Sequence, residues 1–203
     1  MKAVELAKFI IASYPDKSIT PMKLQKLAYY AKVWTLVAKQ PFLNASFEKW
    51  AYGPVNQSVY FAYKKHGASI IPHEEYEANI NDEQKELLQF ILDNYVDYSA
   101  FTLSAMTHNE DPWKETTANA IIHNSAIIAY YAKQPFAKNF PQDQTGKPFH
   151  VLQSNNWHSF TLDMDKEEAE TFATYPSSEE FHQHGNKASN DFKELLQDIN
   201  ALL

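Results

Sequence analysis

Apolar side chains recur three and four positions apart through most of the first 131 residues, the period of helices that bury one stripe. Val4 to Tyr14 reads as an amphipathic helix in which Glu5 and Lys8 interrupt the apolar positions. Three later helices are predicted from one device, a capping residue followed by proline, whose missing N–H costs nothing at the first helical position. The pairs are Thr20-Pro21, Gly53-Pro54 and Asp111-Pro112. Behind the first come Leu24, Leu27, Ala28, Ala31 and Trp34; behind the second Val55, Val59, Ala62 and Tyr63, with Gly67 as C-terminal cap. Behind the third the run includes Trp113, Ile121, Ile122, Ile128 and Tyr131. A capping box at Asn81 and Gln84 opens a further helix through Leu87, Leu88, Ile91, Leu92 and Tyr95, and a short one spans Ala100 to Met106. This makes six helices before residue 132, and only the stretch Ser46 to Tyr52 alternates in the manner of a strand.

The pattern changes after Tyr131. Gln134 to Lys147 holds Pro135, Pro141 and Gly146 and reads as a loop or linker. Two β-rich runs between Phe149 and Met164 flank Ser154-Asn155-Asn156, a hairpin signature. Asp165 with Glu168 and Ser177 with Glu180 predict short capped helices, and Ser189 to Leu203 places Phe192, Leu195, Leu196, Ile199 and Leu202 on one stripe. Such a stripe needs cover; docking on its own domain is preferred over a dimer or partner interface. The fold class expected is mainly all-α: a compact multi-helix domain, residues 1–133, and an extension, residues 134–203, with a small hairpin and short helices.

The 203 residues contain no cysteine, which removes disulfides, thiol nucleophiles and thiolate metal sites and is compatible with a reducing cytoplasm. No apolar run has the length of a signal peptide core or a membrane span. All 18 cationic side chains are lysine, and the formal net charge is -7. An acidic chain without the bidentate arginine fork is poorly suited to phosphate or base readout, so direct nucleic-acid binding is disfavoured.

Candidate chemistry is sparse. His108, Glu110 and Asp111 are the raw material of a metal site or an acid/base pair, but a helix start explains them more simply, with Asp111 as cap, Glu110 at the positive end of the dipole and Trp113 packed beneath. His182 and His184 would share a side only on extended backbone, and the acidic group Asp163, Asp165, Glu167 and Glu168 lacks the glycine of a calcium loop. The four glycines are isolated, so no phosphate-binding loop exists, and no nucleophile elbow or zinc-protease motif occurs. No catalytic residue, metal ligand or cofactor site is assigned. Four Trp, twelve Tyr and thirteen Phe supply instead the rings that anchor protein interfaces.

Three segments carry a resemblance: ITPMKLQKLAYYAKVW from Ile19, FEKWAYGPVNQSVYFAYKKHG from Phe47, and LSAMTHNEDPWKET from Leu103. In this order and with this punctuation they resemble the Panacea-domain (SocA-like, phage-associated) antitoxins, over about Ala3 to Tyr131. The resemblance implies a cytoplasmic, non-enzymatic protein that neutralises a cognate protein toxin by direct binding, with delivery to an ATP-dependent protease or handling by a chaperone as a variant, and with a homodimer as a further option. By position, Trp50, Tyr52, Gly53, Pro54 and Tyr60 are the candidate partner-binding residues, and Thr20, Pro21, Asp111, Pro112 and Trp113 mark the domain. Two alternatives compete: a metal-dependent or acid/base hydrolase using His108, Glu110 and Asp111, and a DNA-binding autoregulator.

Overall fold

The computed structural model describes residues 1–140 and Leu152; the expected hairpin at 149–164, the capped helices at 165 and 177, the acidic group at 163–168, His182, His184 and the terminal helix lie outside the described residues. The described chain is mainly α-helical: α1 (Ala3–Ser13), α2 (Pro21–Val37), β1 (Glu48–Trp50), β2 (Gly53–Val55), α3 (Gln57–Tyr63), α4 (Asp82–Asp93), α5 (Ala100–His108), α6 (Asp111–Lys114) and α7 (Asn124–Tyr131). Short 3₁₀ turns follow α3 at Lys64–His66 and α7 at Pro135–Asn139. No described helix is long and apolar enough to cross a membrane.

Helix α2 is the axis. Every residue from Lys23 to Val37 is buried, because α1, α3, α4, α5, α7 and β2 all pack on it. A helix enclosed on all sides must bury its polar residues too, and each polar group then needs a partner. Lys26 and Lys32 reach the Pro54 and Leu43 carbonyls at 3.0 and 2.8 Å, and Thr35 returns to the Lys32 carbonyl. Gln25 acts like a piece of strand: its amide accepts from Asn56 N at 2.8 Å and donates to the Asn56 carbonyl at 3.1 Å. Aromatic contacts complete the core: Tyr30 stacks on Tyr95 at 4.1 Å, and the Trp34 indole donates to the Tyr95 hydroxyl at 2.6 Å.

Local signals hold at several ends. Thr20 accepts from Lys23 N beside Pro21, Asn81 and Gln84 form the expected box, and Gly67 adopts φ +56° where the α3 segment ends. One proline signal is overridden and another opens a shorter helix than expected. Gly53-Pro54 starts no helix; both residues lie in β2, and the cap of α3 is Asn56, whose side chain accepts from Val59 N. Proline tolerates a strand edge as well as a helix start, and the buried Lys26 supplies a donor for its carbonyl there. The run after Asp111-Pro112 is also not one helix. Asp111 is the first residue of the four-residue α6, and the cap position belongs to Glu110, whose side chain turns elsewhere. After α6 the chain crosses to β1, where Lys49 N donates to Ala120 O, Asn119 N to Lys49 O and Ile122 N to Phe47 O. Asn119 at φ +62° makes this crossing, and only then does α7 begin. The stretch expected as linker contains the 3₁₀ turn at Pro135–Asn139, and its Phe136 is buried against Trp34 with ring centroids 4.7 Å apart.

Candidate partner-binding surface

Strands β1 and β2 form a tight antiparallel hairpin, Glu48 opposite Val55 and Trp50 opposite Gly53, closed by Ala51 and Tyr52. It is held from beneath by three donors on alternate carbonyls. Trp113 Nε1 donates to Trp50 O at 3.2 Å, Ser104 Oγ to Tyr52 O at 3.0 Å and Lys26 Nζ to Pro54 O at 3.0 Å. Gly53 is required here: its φ is +98°, and a Cβ would come within 2.7 Å of Thr107 Oγ1 and 2.8 Å of Lys26 Nζ. Lys26 is 1% exposed, and burial pushes its amine down to about 7. The edges are also taken, β1 by residues 119–122 and the end of β2 by Gln25. An added strand would have to displace these bonds, so this hairpin presents side chains rather than backbone.

The outward side is aromatic. Tyr52 at the tip is 71% exposed, and Phe61 on α3 is 60% exposed. The half-buried Trp50 ring lies 5.0 Å from that of Tyr60, which lies 5.5 Å from Phe61. Lys64 sits over Phe61 at 4.8 Å and Tyr60 at 6.0 Å. Of the five residues expected to bind a partner, Trp50, Tyr52 and Tyr60 thus reach this face, whereas Gly53 and Pro54 are buried and shape the turn. Phe61 escaped sequence reasoning because α3 has only seven residues, too few to distinguish its faces by period.

His108, Glu110 and Asp111 do not converge. The His108 ring lies 4.1 Å from the Trp113 ring, near the lysines Lys26 and Lys49, and burial is the first cause of its lowered pKa. Glu110 faces away from that imidazole, into a tyrosine cluster. Tyr30 donates to Oε1 at 3.0 Å and Tyr131 donates to Oε2. Burial pushes this carboxyl up to about 8 although both hydrogen bonds pull it down. Asp111 is exposed. Among the described residues no group of three or more His, Asp or Glu side chains could hold a metal ion.

The family described as Antitoxin SocA-like, Panacea domain, matches residues 24–114, from the first turn of α2 to the last residue of α6. Residues 24–114 are thus similar to a Panacea domain. The match is narrower than the resemblance read from the sequence, leaving out α1 and α7. It contains the hairpin, the aromatic face, Asp111, Pro112 and Trp113, while Thr20 and Pro21 precede it. Antitoxin SocA of Caulobacter vibrioides (strain NA1000 / CB15N) is 40% identical over 57 residues, covering 28% of this chain and 30% of that protein. The chain therefore matches less than a third of the length of this curated relative. No solved structure matches.

Proposed function

We propose that this chain is an antitoxin that neutralises a cognate protein toxin by holding it against the aromatic face of the Panacea domain. The observation that carries the reading is the coincidence of that domain, residues 24–114, with a rigid hairpin that exposes Tyr52 and, beside it in the fold, Tyr60 and Phe61. Rings held on a braced turn lose little conformational entropy when a partner covers them, which is the economy of interface anchors. The protein acts in the cytoplasm and by binding, without turnover. Sequestration is the primary mode, and delivery of the bound toxin to an ATP-dependent protease is a further step that uses the same complex.

Co-expression with the product of the neighbouring reading frame tests this. That product should arrest growth alone and be tolerated with this chain, and a Tyr52→Ala/Phe61→Ala variant should restore arrest while remaining folded. A harmless neighbour, or arrest unaffected by this chain, overturns the reading.

A further inference from the structure

A cavity of about 490 Å³ opens beside Glu110, within the size range of small-ligand sites. Its lining includes Trp34, Tyr95, Tyr131 and Phe136, with Gln134 as a polar neighbour. Glu110 is the one carboxylic acid in the described lining, and no lysine joins it. Each of its oxygens accepts one tyrosine hydroxyl and keeps capacity for a second donor. The ion pair among the described residues is Lys17 with Asp97, so no described cation pairs with Glu110. A carboxylate with no cation among the described residues, set among aromatic rings, offers the two attractions that select organic cations: a charge-assisted hydrogen bond and ring quadrupoles.

We propose that this cavity binds an organic cation, an ammonium or guanidinium head on an apolar stem, with Glu110 as counter-charge and the rings of Trp34, Tyr95 and Tyr131 as walls. A free amine and a lysine or arginine side chain of a bound protein present the same head, and the recognising chemistry is the same. Among the described residues, the titratable groups around the carboxyl are Tyr29 and Tyr30 of α2, Tyr95 beyond α4 and Tyr130 and Tyr131 of α7, with Asp111 adjacent in the chain. Burial raises the pKa of all five tyrosines, which stay protonated as donors. The cation therefore binds the ionised carboxyl, and its affinity rises with pH through about 8.

The experiment is a titration of the purified full chain with n-butylammonium and with n-butanol at matched ionic strength, at pH 6 and pH 9, followed by NMR shifts or melting temperature. Alkylammonium stays charged at both, with a pKa near lysine's ~10.4. Butylammonium should bind at least about tenfold more tightly at pH 9, since ionisation near pH 8 takes the carboxyl from about 1% to about 90% charged. Butanol should bind weakly and without pH dependence, and Glu110→Gln should lose the amine preference. Gln134→Trp, which adds bulk to the lining while keeping the carboxyl, should block both, and serves if Glu110→Gln does not fold. Equal binding of amine and alcohol, or no pH dependence, overturns the proposal. Should a lysine peptide bind at least about tenfold better than butylammonium, the source is a partner's side chain; otherwise it is a free amine.

Discussion

The buried amine of Lys26 and the missing side chain of Gly53 occupy one space: a Cβ on that glycine would stand 2.8 Å from the lysine's Nζ and 2.8 Å from its Cε. The aromatic hairpin thus takes its shape from a lysine on the central helix. Gly53→Ala should destabilise the protein by about 2–4 kcal/mol, combining left-handed backbone strain with overpacking. Gly67→Ala, where nothing lies within 4 Å of the added carbon, should cost only about 1 kcal/mol of backbone strain. Urea unfolding of both variants checks the contrast.

Stability should depend on pH through two opposed groups. Glu110 is raised from its ordinary 4.5 to about 8, so the native state holds an extra proton between those values and stability falls as pH rises across that window. Lys26 is lowered from 10.5 to about 7, so the unfolded state holds the extra proton and stability rises from about pH 7 to 10.5. Glu110→Gln should flatten the first slope and leave the second; melting curves from pH 5 to 10 measure both.

The Trp34 indole and the Tyr95 hydroxyl are each other's buried partners at 2.6 Å. Trp34→Phe should cost about 2–4 kcal/mol, from the lost ring volume and the hydroxyl left without its donor. Tyr95→Phe, which instead leaves the indole N–H unpaired, should cost about 1–3 kcal/mol. Denaturant midpoints at constant slope test these values.

The exposed rings should behave oppositely. Tyr52→Ala and Phe61→Ala should shift stability by less than about 0.5 kcal/mol, because neither side chain is in the core. In binding the toxin proposed above, each should cost about 2 kcal/mol or more, as truncated interface anchors do. Calorimetry against the toxin, beside melting curves of the free variants, separates the two effects.

Local rules alone carried much of the helical plan. Thr20 before Pro21, the Asn81 and Gln84 box, and the left-handed Gly67 specify their ends through bonds to residues within a few positions, and such bonds are readable in a linear chain. The domain motifs around Trp50 and Asp111 were legible too, and so was the aromatic character of the hairpin. What followed the prolines at 54 and 112 was not: Pro54 enters a strand, where Lys26 donates to its carbonyl, and the helix that Pro112 does help begin ends at Lys114, before the crossing at residues 119–122. Tertiary packing likewise turned Glu110 from a helix-start acid into a carboxyl set between Tyr30 and Tyr131, and separated it from His108. Capping is a short-range hydrogen-bond question, whereas burial depends on which helices enclose α2, and only the folded chain brings residues 80 positions apart into the same low-dielectric space.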